Sequence, residues 1–172
     1  MQRAGSSVAA CSPRFGEHAF RDTRDVTEID HRRLGVDLFN RTWTLLDRSE
    51  RTPGEDDEML HAAHASAYHW SRVGAPENFA RSEWQVSRVN AVLGRAEAAV
   101  HHAQRSLDHC IEHGIGDWDL AFAYEALARA HKVAGAEGDY RRYLELARAA
   151  ATRIAEDDDR ELLERDLAEL AA

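Results

Sequence analysis

Apolar residues recur along this chain at the three- and four-residue spacing of one helix face, and glycine or proline stops the pattern each time before it grows long. A chain punctuated in this way folds as a series of helix hairpins. No stretch between the turns alternates apolar and polar residues as a strand would. The first helix is expected over about 28–48, capped by Thr27 with Asp30 three residues on, and facing the core with Ile29, Leu34, Leu38, Trp43 and Leu45–Leu46. Thr52-Pro53-Gly54-Glu55 sets Thr at the cap, Pro at the first position and Glu at the third, and so opens a second helix. That helix runs to about Val73 with Met59, Leu60, Ala63, Ala67, Trp70 and Val73 inward. Gly74 ends it, and Pro76 opens a third helix over about 76–93 with Phe79, Val86, Val89 and Leu93 on one stripe.

Beyond Gly94 the fourth helix, about 95–113, buries Ala99, Val100, Ala103, Leu107, Cys110 and Ile111. After the Gly114-Ile115-Gly116 turn, Asp117 is the expected cap of a fifth helix that carries Leu120, Tyr124, Leu127 and Ala130 towards Gly135. The sixth helix, about 137–155, uses Tyr140, Tyr143, Leu144, Ala147 and Ile154. Asp157–Asp159 favour a further N-terminus by capping and by the helix dipole, and the seventh helix presents Leu162, Leu163, Leu167 and Leu170. The expected fold class is therefore all-α with about seven helices.

Composition narrows the class of function. With 172 residues the chain is long enough for one domain with a real core, and 44% hydrophobic against 31% charged residues fits a folded chain. The formal net charge of -9 lacks the basic footprint of a nucleic-acid binder and is repelled by anionic membranes. No apolar run approaches the roughly 20 residues that span a bilayer, so the expected location is the cytoplasm. The cations are 21 arginines and one lysine, Lys132, a bias that a GC-rich bacterial genome would produce. Two cysteines, Cys11 and Cys110, make neither a disulfide framework nor a four-cysteine zinc site. Val8-Ala9-Ala10-Cys11 looks like a lipoprotein cleavage box, but the stretch before it is too short and too polar for a signal segment. Residues 1–25 show no sustained periodicity and are expected to form a disordered tail, with the helical domain over 26–172 and Val26 a candidate true start.

The segments Arg88–His109 and Arg129–Ala150 look alike when Gly94 is set against Gly135. Leu93 then meets Ala134, and Val86 meets Leu127. A helix closing on Leu-Gly, followed by a helix with small residues such as Ala99, Ala103 and Ala147, resembles the tetratricopeptide repeat family, with Tyr124 where that motif often has an aromatic. The spacing is longer than the usual repeat by close to two helical turns, Tyr140 and Ser106 stand where small residues are usual, and no proline closes either copy. The resemblance covers about 79–155 and implies a right-handed stack of antiparallel helix pairs, a TPR-like superhelix whose last helix caps the array.

No Gly-rich phosphate loop, serine elbow or Cys-His nucleophile pattern is present, and no catalytic residue is assigned. Ten histidines include the helical pairs His61/His64 and His109/His113, with His102 one heptad before His109. No HExxH occurs, and no Glu-x-x-His pair is repeated as a di-iron site needs. With no third ligand at matching spacing, no metal and no cofactor is expected.

In a TPR-like stack the first helix of each pair lines the concave surface. Arg81, Trp84, Gln85 and Arg88 then form one stripe, and Trp118, Glu125, Arg129 and Lys132 a second, with His61, His64 and Tyr68 as an extension. Four cations and two tryptophans on one surface suit an acidic peptide or a carboxylate. The expected function is a protein-interaction or scaffold module that takes another protein or peptide in this groove. The alternatives are a small-molecule or peptide sensor and a metal-dependent helical enzyme.

Overall fold

The computed structural model describes residues 29–171. The expected tail over 1–25, the Val26 start and the Thr27 cap lie outside the described residues. Seven helices and no strand occur among those described: α1 (His31–Leu46), α2 (Pro53–Val73), α3 (Pro76–Val92), α4 (Ala96–His113), α5 (Asp117–Val133), α6 (Glu137–Ala151) and α7 (Asp157–Ala171).

Local chemistry sets the ends. Asp30 itself caps α1, its carboxylate accepting the Arg33 N–H at 2.9 Å. Thr52 and Glu55 form the reciprocal capping box of α2 around Pro53. The Asn78 side chain reaches back to the Ala75 N–H at the start of α3. Gly94, Gly114 and Gly135 all take the left-handed conformation, at φ 69, 63 and 68°. Across these turns Arg95 N–H bonds Asn90 O, Ile115 N–H bonds Cys110 O and Ala136 N–H bonds His131 O, so three helices end in the same hydrogen-bonded closure.

Two ends differ from the sequence reading. Asp117 has a positive φ of 52° and is not the cap of α5; its carboxylate accepts the Ala155 N–H at 3.0 Å, across the linker between α6 and α7. That linker begins at Thr152, so Ile154 is not on α6; it folds back from the turn and is buried. Ile29, Leu34, Val73, Ile111 and Leu162, expected inward, are exposed, because none of the described helices covers those positions.

The helices pair as α1 with α2, α3 with α4 and α5 with α6, and the second of each pair also packs on the first of the next. First helices touch in series, α1 to α3, α3 to α5 and α5 to α7. Three apolar cores follow this order. One joins α1, α2 and α3 around Leu45, Met59, Ala63, Val86 and Val89. The next joins α3, α4 and α5 around Ala99, Ala103, Leu107, Cys110 and Leu127. The last joins α5, α6 and α7 around Phe122, Leu144, Ala147, Leu163 and Leu167. Alanine dominates the middle core and lets backbones approach. Gly35 does the same between α1 and α2: an added Cβ would stand 3.0 Å from the Trp70 ring, and the Gly35 carbonyl accepts the Ser66 hydroxyl at 2.8 Å.

Candidate functional site

The first helices share a face, and α3 and α5 project onto it the residues that the sequence reading assigned to a groove. An aromatic ladder crosses it. Trp43 of α1 lies 5.5 Å from Trp84 of α3, which lies 5.4 Å from Phe122 of α5, itself 5.9 Å from Trp118. Two guanidinium groups stack on the ladder, Arg81 at 4.4 Å from the Trp118 ring and Arg88 at 5.5 Å from that of Trp43.

The cations do not stand free. Arg81 holds Asp119 with two hydrogen bonds, of 2.8 and 2.9 Å, and these bonds hold its guanidinium above its ordinary value. Arg88 reaches past α5 to bond Asp166 of α7 at 2.6 Å, and Arg129 bonds Glu125 at 2.7 Å through Nε. Arg88 also approaches Glu125 to 4.0 Å and Arg129 approaches Asp166 to 3.8 Å, so two cations and two carboxylates form one network across three helices. The Glu125 side chain is 1% exposed and that of Asp166 11%. Burial opposes the charge on Arg88, but the bond to Asp166 and the field of Glu125 outweigh it and hold the group above its ordinary value. Gln85 is buried as well, and its amide donates to the Phe39 carbonyl at 3.0 Å.

This corrects the expected groove. Arg88, Glu125, Arg129 and Gln85 tie helices together rather than line an open channel. Asp166 reaches Arg88 and the Phe39 carbonyl reaches Gln85, partners 78 and 46 residues away that local spacing does not show, while Arg129 bonds Glu125 one helical turn back on α5. What stays open lies at the two ends of the face. At one end are the half-exposed Arg81 and Trp118. At the other is a cleft of about 280 Å³ between the C-terminal ends of α3, α5 and α7, lined by Ala91, Val92, Arg129, Lys132, Val133, Glu169 and Leu170. Lys132 donates to the Leu170 carbonyl at 2.7 Å, and the Tyr140 hydroxyl donates to the same oxygen. Val92 and Val133, 45% and 39% exposed, form the apolar rim.

His64 and Tyr68 do not extend this face. The His64 ring lies 5.4 Å from that of His102 on α4, and His102 bonds Glu83 at 2.6 Å. Burial, then His102, pushes the His64 imidazole below its ordinary value. Burial alone would raise the Glu83 carboxyl; bonds from His102 and Arg105 overcome it and hold the group low. Tyr68 is 58% exposed, beside His31 and His69, whose Nδ1 atoms stand 2.8 Å apart. Cys110 is buried and its thiol is pushed up to about 12, by burial and then by Asp119. Two features of the structure were not assigned to a site by the sequence reading. One is Trp43, which carries no signal beyond its place on an apolar face. The other is Glu112, which joins His109 and His113 in a group whose ligand atoms all lie within 4.8 Å of one another. No helix among the described residues is long and apolar enough to cross a membrane. Comparison with protein-family models, with characterised proteins and with solved structures gives no match to this chain.

Proposed function

We propose that the chain is a TPR-like interaction module, found in the cytoplasm, that takes an acidic peptide segment of another protein at the shared face of its first helices. The observation that carries the reading is the serial contact of α1, α3, α5 and α7 on one side, while each second helix lies between two first helices. That order is how TPR-like pairs stack, with the first helices on the concave side. The turn at Gly94 and the turn at Gly135 have the same closure, and the buried positions Ala103, Ser106 and Cys110 of α4 match Leu144, Ala147 and Ala151 of α6 at the same offset. The aromatic ladder gives the face rigid apolar area, and the cleft beside Lys132 adds a cation next to the apolar rim of Val92 and Val133.

The partner meets Lys132, Val92 and Val133 at one end and Arg81 and Trp118 at the other. Arg88 and Arg129 act behind this surface by holding its helices together. The test is capture from native lysate by the wild-type chain and by a chain with Lys132→Glu and Val133→Ser, each checked by thermal melting. Val133 is exposed and its change should cost no more than about 0.5 kcal/mol, whereas Lys132→Glu also gives up the bond to the Leu170 carbonyl and should cost about 1 kcal/mol. Loss of an acidic partner by the folded variant supports the reading, and equal capture by both chains removes the cleft as the binding surface.

A further inference from the structure

The last turn of α4 gathers three metal-binding side chains that the inner face does not use. His109, Glu112 and His113 stand at positions i, i+3 and i+4 and so share one helix face. Each offers a ligand atom within 4.8 Å of the other two, the group of three such side chains that meets this limit among the described residues. Ligand atoms at about 2.0–2.2 Å from a tetrahedral zinc ion stand about 3.4 Å from one another. The three donors therefore need to close by little more than about 1 Å, which side-chain rotation supplies without moving the helix.

Two features prepare the group. His109 is half-buried with its ring 5.8 Å from Phe79 of α3, and it stacks on His113 with 14° between the ring planes. The group also sits at the C-terminal end of its helix, where carbonyls left without helical partners carry partial negative charge and favour a cation. Arg105, one turn earlier, is engaged by Glu83 at 2.8 Å and so is drawn towards α3 instead of competing for Glu112.

From this geometry we infer that His109, Glu112 and His113 form a binding site for one divalent transition-metal ion of the zinc, nickel or copper class. Two imidazoles select a borderline ion over calcium or magnesium, which take shells of oxygen. Three protein ligands at an exposed helix end leave a fourth position open to water or to a ligand on another molecule. The sequence expectation of no metal rested on the lack of a third ligand, and Glu112 supplies one.

The test titrates zinc into the untagged, metal-free full chain by calorimetry, with a parallel copper titration read by electron paramagnetic resonance. One equivalent of zinc is expected to bind. His113→Ala and Glu112→Gln change exposed residues; the first is expected to weaken zinc binding by about tenfold or more, at least the loss seen when a ligand-orienting contact is removed, and the second to weaken it less. Copper should show coupling to two nitrogens in the wild type and to one in His113→Ala. A chain with His61→Ala and His64→Ala should bind zinc as the wild type does. The inference fails if zinc does not bind by about 100 μM, an affinity of roughly 5–6 kcal/mol. It fails equally if His113→Ala binds zinc as tightly as the wild type, or if the His61/His64 variant alone loses it.

Discussion

Removing the Asp166 carboxylate leaves the Arg88 guanidinium, 16% exposed at its side chain, without its closest counter-charge. Asp166→Ala is expected to cost about 3–5 kcal/mol in denaturant unfolding, the range for breaking one partner out of a buried ion pair. The double replacement Arg88→Met with Asp166→Leu should recover most of that loss, because no uncompensated charge then stays buried. Replacing both Arg88 and Arg129 by Glu would crowd carboxylates around Glu125 and Asp166 and should unfold the chain, so it cannot report on a binding surface. A second residue-scale effect depends on pH. His31 and His69 bring Nδ1 atoms to 2.8 Å, a contact that needs one of the two unprotonated. Burial, then His31, holds His69 below its ordinary value of 6.5. A depressed folded value means that stability is present above pH 6.5 and is lost as the pH falls through the folded value. The melting temperature should therefore drop from neutrality to about pH 5 more steeply in the wild type than in His69→Gln. Cys110, pushed up to about 12, should stay unreactive to thiol reagents at mildly alkaline pH in a Cys11→Ser chain until denaturant is added.

The helix ends carry the second set of effects. Gly135 has φ 68°, and a Cβ there would meet nothing within 4 Å, so Gly135→Ala tests backbone conformation alone. It should cost about 1–2 kcal/mol in thermal or chemical unfolding. Ala99 is 0% exposed and its carbonyl accepts the Ser87 hydroxyl at 2.8 Å, so Ala99→Leu should overpack the seam between α3 and α4 by about 1–3 kcal/mol. Unchanged melting of Ala99→Leu would contradict the close approach of these helices. Helix number and most boundaries were legible in the sequence because Pro53, Pro76, Gly94, Gly114 and Gly135 act through their own backbone. The exceptions have a shared cause. Asp117 looked like a cap because Asp before a helix usually is one, but its partner is Ala155, 38 residues away. Ile154 kept helical spacing past the point where that same bond draws the chain into a turn.

At the scale of the whole chain, α7 packs against α5 and α6. It covers the core of α5 and α6 with Leu163, Leu167 and Leu170 and sends Asp166 to Arg88. A chain ending after Ala155 should expose that core and orphan Arg88, with a lower melting point and increased binding of an apolar dye as the readout. The candidate site was legible only as a set of helix faces. Spacing placed Arg81, Trp84, Arg88, Trp118 and Arg129 on the first helices, where they stand. It could not show that Asp119 waits 38 residues from Arg81 or that Asp166 waits 78 from Arg88, since charge pairing at such separations is a property of the fold. The aromatic ladder adds a last consequence, in the optics of the molecule. Trp43 and Trp84 sit on different helices with their rings 5.5 Å apart and tilted by 42°, close enough for their transitions to couple. Their joint circular dichroism in the near ultraviolet therefore gauges the separation of α1 from α3, and any ligand that spreads or tightens the inner face writes its arrival into that band without a label.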